Sequence, residues 1–170
     1  MELKVYQPTS ECVTCRGTCC KQCPGAVFPQ DCGPDIESGL REMMRSGRYT
    51  FDYWEGAFNE GLDKKGETSY FVRPRVPTDE PDRIINGAWG GRCTFLTDTG
   101  CELPFEKRPT NCKMLKPRAR RGDTCDIDGH IRPKEEAIKA WRKHGDIVAK
   151  IIKEFDECFK DDVARDPGDI

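Results

Sequence analysis

Residues 12–23 read CVTCRGTCCKQC, and five of these twelve are cysteine. Thiols at this density point to a metal centre. Two residues between Cys12 and Cys15 let a tight turn aim both sulfurs at one ion, at a metal–sulfur distance of about 2.3 Å for zinc. Cys19 and Cys20 extend the motif to CxxCxxxCC, with Gly17 and Pro24-Gly25 as turn residues. The adjacent pair is harder to seat on one ion, because neighbouring side chains on an extended backbone point to opposite sides. It implies two metal sites, or one ligand and one packed thiol. A second motif, GRCTFLTDTGCELPFEKRPTNCKMLKP, carries Cys93, Cys101 and Cys112. Arg108, close to Cys112 in sequence, is placed to offset the charge that clustered thiolates accumulate. Cys125 is an eighth candidate ligand.

Four thiolates suit both zinc and iron–sulfur clusters. Zinc is the expectation for Cys-x2-Cys pairs in a small domain. An iron–sulfur cluster is the alternative, and it accounts better for the crowding. The order Cys12-x2-Cys15-x3-Cys19 is the reverse of the radical-enzyme motif, and 170 residues are too few for that barrel. Cys23 and Cys32 are less firmly tied to either motif. Cys158, on a helical segment, reads as a small buried hydrophobe.

The remaining residue chemistry is sparse. His130 reads as a turn residue and His144 as a solvated helix residue, without metal-site spacing to each other. The carboxylates Asp52, Glu55, Asp79, Glu80 and Asp82 show no pairing that predicts acid–base work. No nucleophile elbow, P-loop or HExxH helix is present, so catalysis is left open and no catalytic residue is assigned. The run KMLKPRARRG at 113–122 carries five basic residues and suits a phosphate or nucleic-acid contact, but no aromatic residues interleave it for base stacking. It is read as a solvated loop that balances thiolate charge.

Taken together, the motifs CxxCxxxCC and CxFLxxxxCxLPxxxRPxxC resemble those of the YkgJ-like cysteine-cluster proteins, also described as the CxxCxxCC zinc- or iron-chelating domain. The resemblance covers roughly residues 12–125, plus a helix of AxxxWR type after it. It implies Cys12, Cys15, Cys19, Cys20, Cys93, Cys101 and Cys112 as metal ligands. Phe95, Leu96, Arg108 and Pro109 would be their framework. WEG at 54–56 and YFVRPR at 70–75 look like the longer branch of that family. Related flagellin lysine methylases carry such a domain in a longer chain. Without a Gly-rich nucleotide or S-adenosylmethionine motif, methylation is not carried over.

Composition sets the frame for these residues. Charged residues are 34% and hydrophobic ones 36% of the chain. The expected core is thin, and thin cores often need a cross-link or a metal. The formal charge of -2 gives no bulk attraction to nucleic acid or membrane. The start, MELKVYQPTSEC, has no apolar run or cleavage site, and no stretch approaches the roughly 20 apolar residues of a membrane helix. The expectation is a soluble, cytoplasmic protein with reduced thiols, which disfavours a disulfide framework for its eleven cysteines. A protein partner is compatible with this reading, and the sequence does not set the oligomeric state.

The positioning elements follow from periodicity. Ile36, Leu40, Met43 and Met44 share one face of a short helix stopped by Gly47. RYTFDYWEG and TSYFVRPRV suit two strands, and TDEPDRIING a loop. Thr94-Phe95-Leu96 reads as a short buried strand with a turn at Asp98-Thr99-Gly100. Ile138, Trp141, Val148, Ile152, Phe155 and Phe159 recur at helical steps and predict a helix over about 133–162, interrupted by Gly145. The expected fold is therefore a single α+β domain over 1–170. It would be small, irregular and metal-centred, with a cysteine core at 12–125 and a long C-terminal helix packed on it.

Overall fold

A computed structural model describes residues 17–55, 68–88, 90–115 and 131–165. The architecture is α+β: helices packed around two small antiparallel sheets. Strands β1 (Tyr49–Glu55) and β2 (Thr68–Pro74) form the larger sheet, in the register Phe51↔Val72. These are the two strands expected from aromatic and β-branched content.

A lone two-stranded sheet is marginal in water, and here both edges are covered. Val27 bridges the outer edge of β2, donating its N–H to Val72 O at 2.8 Å. On the other side, Phe51 N–H donates to Ile84 O at 2.9 Å and Asn86 N–H to Phe51 O at 2.8 Å, so Ile85 runs alongside β1. The loop read from TDEPDRIING thus supplies an edge segment.

Helix α1 (Thr18–Gln22) precedes Val27, and a 3-10 turn (Pro29–Cys32) leads to α2 (Ile36–Arg45). Asp35 caps α2, its carboxylate accepting the N–H of Ser38 at 3.2 Å. Leu40 and Met44 are buried on its predicted apolar face. The strands β3 (Leu96–Thr97) and β4 (Gly100–Cys101) form a second small hairpin, shifted slightly toward the C-terminus from the expected Thr94–Leu96. A 3-10 turn (Phe105–Lys107) and the short helix α3 (Thr110–Met114) follow.

The predicted C-terminal helix is two helices, α4 (Ile131–Arg142) and α5 (Gly145–Arg165). Between them Lys143 N–H bonds to Ala140 O and His144 N–H to Trp141 O. These tighter three-residue steps end α4, and glycine opens the next helix. Of the predicted stripe, Ile138, Trp141 and Val148 are buried, joined by Ala137 and Ile151, and the side chain of Phe159 lies outside the described residues. Ile152 and Phe155 pack at its margin. Trp141 donates its indole N–H to Val27 O at 2.7 Å, tying α4 to the strand edge. Helix α5 meets α2 through Glu154 and Arg41 at 3.0 Å and Lys150 and Glu37 at 2.6 Å.

The sheet also buries a charge cluster. Arg73 is 2% exposed. Its Nε donates to Asp52 at 2.7 Å, and its terminal nitrogens donate to Asp79 at 2.8 and 2.9 Å and to Asn86 O at 2.8 Å. Asn86 in turn donates to Thr50 Oγ1 at 3.0 Å. Strand alternation puts Thr50, Asp52 and Arg73 on one face, and the 75–86 loop closes over them. Sequence reading left Asp52 and Asp79 unpaired. The fold joins them on one guanidinium, as structural anions rather than an acid–base couple.

Removing Arg73 would strand two buried carboxylates. Arg73→Met is expected to cost about 3–5 kcal/mol, read as a lowered urea midpoint. A loss under about 1 kcal/mol would show that the cluster does not hold the loop.

Candidate metal centre

The early and late thiol motifs meet through backbone hydrogen bonds. Cys20 O accepts the N–H of Cys93 at 2.7 Å, Gln22 O accepts that of Gly91 at 2.9 Å, and Arg75 O accepts that of Thr94 at 2.9 Å. The segment 91–94 therefore lies between the end of α1 and the chain leaving β2. Gly17, at φ 78°, turns the chain into α1. A Cβ on Gly17 would also sit 2.7 Å from Leu96 Cδ1. The pair Cys19–Cys20 is helical, so the expectation drawn from an extended backbone is corrected. Successive residues there diverge by about 100° rather than 180°.

Cys112 arrives from α3. Asn111 accepts the N–H of Ala26 at 2.8 Å, and Asp31 accepts the N–H and hydroxyl of Thr110 at 2.8 and 2.5 Å. These bonds clamp α3 onto residues 26–31 and press Cys112 against Gly25. A Cβ at Gly25 would lie 2.2 Å from Cys112 Sγ, so the approach requires glycine.

Cys20, Cys93 and Cys101 pack with Phe95, Leu96, Leu103 and Tyr49 in a small cluster of their own. Burial pushes the Cys93 thiol up from 9.0 to about 11, with Cys101 and Cys19 adding to the rise. The Cys112 thiol is also pushed well up, chiefly by burial and then by Cys93, Cys19 and Cys101. The Cys19 thiol is raised first by its hydrogen bond with the Cys20 sulfur and then by burial. Tyr49 is pushed up to about 12 by burial, with Cys93 and Cys112 contributing. Opposing these effects, backbone N–H groups of Phe95 and Gly25 favour the thiolates of Cys93 and Cys112.

Among the described residues, a cation that bears on this group is one the sequence did not suggest. Arg48 favours the Cys93 thiolate. Its guanidinium lies 4.0 Å over the Phe95 ring, donates to Thr94 O at 2.9 Å and pairs with Glu102. Arg108, the expected counter-charge, instead donates its Nε to Leu103 O at 3.0 Å and faces the Phe105 ring. Arg48 escaped notice because it lies just before β1, far from either cysteine motif in sequence.

The other candidates separate. Cys23 is raised by burial, while Lys134 and Arg73 favour its thiolate. Cys32 is buried in the main core and pushed up to about 12 by that burial, with Asp31 as its charged neighbour. It behaves as a small hydrophobe. His144 is half-buried and edge-on to Trp141 at 6.3 Å rather than fully solvated. Cys12, Cys15, Cys125, His130 and most of the basic run lie outside the described residues, as does the side chain of Cys158.

The seven described cysteines are free thiols. Among the described residues, no three Cys, His, Asp or Glu side chains form a group that could hold one metal ion. The donor chemistry suits a thiophilic ion, but these thiols do not by themselves close a coordination sphere. No family model matches the chain, and no characterised protein or solved structure is significantly similar to it.

A thiol with a raised folded pKa stabilises the fold below its unfolded value and loses that contribution as pH rises through the folded one. The reduced, metal-free protein should therefore lose stability between pH 9 and about 11. Over pH 7–10 its Cys93 alkylation rate should climb about tenfold per unit, following the thiolate fraction. A rate that levels off by pH 9, measured by mass spectrometry, would show Cys93 to be an ordinary exposed thiol.

Proposed function

We propose that this chain is a metal-binding cysteine-cluster protein of the YkgJ-like kind, holding zinc through thiolates in a structural or chelating role. The observation that carries this reading is the bond from Cys93 N–H to Cys20 O. It draws two motifs some seventy residues apart into one neighbourhood of low dielectric. There Cys19, Cys20, Cys93, Cys101 and Cys112 are the described donors, and Cys12, Cys15 and Cys125 complete the set expected from the sequence. Buried thiols of raised pKa stay protonated in water. A divalent cation supplies the charge that ionises them, and its binding energy becomes folding energy.

An iron–sulfur protein with a redox or protein-modifying role is the second reading. The crowding of Cys20, Cys93 and Cys101 in one cluster favours it, because such centres are held by several Cys thiolates.

Elemental analysis of protein purified without oxygen separates the two readings. Colourless protein with stoichiometric zinc is expected, and brown protein with iron and sulfide would replace zinc by a cluster. Chelation should lower the melting temperature, and Cys93→Ser should lower both metal content and stability. Metal-free protein that keeps the same melting curve would remove the structural role. Absence of both metals from reducing preparations would remove the function.

A further inference from the structure

A cavity of about 200 Å³ opens between the 3-10 turn at Pro29–Cys32 and the segment leading into α3. Its walls include Asp31, Tyr49, Glu106, Lys107, Arg108 and Lys113. Three cations thus face two carboxylates, and Asp31 is already committed. Its oxygens accept the N–H of Phe28 at 2.8 Å and both the N–H and the hydroxyl of Thr110.

The cations are not matched in the same way. None of the three forms an ion pair among the described residues. Lys113 reaches only Glu106 O, at 3.3 Å. Arg108 is held by its Nε on Leu103 O, and its two terminal nitrogens meet no acceptor among the described residues. A tethered guanidinium with a free fork is preorganised for a planar or tetrahedral oxyanion.

We propose that this cavity binds a small oxyanion, a phosphate or carboxylate group, through Arg108 and Lys113, with Lys107 at its rim. Size decides against larger ligands, since drug-sized molecules occupy about 300–1,000 Å³. Tyr49 is a wall of the cavity and also packs against the Cys93 and Phe95 cluster. The anion therefore sits one side chain away from the thiols. The site stands on its own cations and does not depend on which metal, if any, the thiols hold.

Calorimetric titration of the full-length protein with inorganic phosphate and with malonate, against a chloride control, tests this. Saturable one-to-one binding of at least one anion is expected, and the tighter of the two identifies the group preferred. Arg108→Gln and Lys113→Gln should each weaken binding tenfold or more at an unchanged melting temperature. Should Arg108→Gln misfold through loss of its tether to Leu103, Lys113→Gln decides. No saturable binding, equal competition by chloride, or full affinity in Lys113→Gln would overturn the proposal.

Discussion

A two-stranded sheet cannot satisfy its own edges, and the rest of this molecule is arranged around that fact. The edge of β2 is filled by Val27, just after the first cysteine motif. The chain leaving β2 at Arg75 is met by Thr94, just after Cys93. Backbone groups that must be paired thus determine where the two motifs go. Trp141, bonded to Val27 O, then fixes the C-terminal helices to the same edge.

The molecule handles buried charge in two contrasting ways. Around Arg73, the guanidinium donors have acceptors on Asp52, Asp79, Asn86 and Pro74, and burial is tolerated because the pairing is so complete. Around Cys93 and Cys112, charge is avoided by holding the thiols protonated. The first arrangement is complete within the polypeptide. The second has donors in surplus and, among the described residues, Arg48 as the cation that favours the Cys93 thiolate. That imbalance is what gives the thiol cluster its chemical interest.

Much of the fold was legible because it depends on local patterns. The periodicity of Leu40 and Met44, the β-rich 49–55 and 68–74 segments, and the stripe through Trp141 all matched the elements found. The break before Gly145 was signalled by the glycine, although the full separation into α4 and α5 was not. The site was only partly legible. Spacing picked out Cys19, Cys20, Cys93, Cys101 and Cys112, while Arg48 and Tyr49 carried no mark in the sequence. Their role comes from where β1 begins, which no cysteine spacing encodes.

By itself the sequence determined the inventory: which thiols are available, the helix at 36–45, the strands at 49–55 and 68–74 and the helical C-terminal stretch, and that acid–base and nucleotide motifs are lacking. Those properties are set by residue type and by neighbours a few positions away. Tertiary structure alone decided that Cys93 lies beside Cys20, that Cys112 rests on Gly25, that Asp52 and Asp79 share Arg73, and that Arg48 comes near enough to favour the Cys93 thiolate. Each is a contact between distant segments. Such contacts arise when edge hydrogen bonds and apolar faces are satisfied across the whole chain at once, a condition that no local window of residues contains.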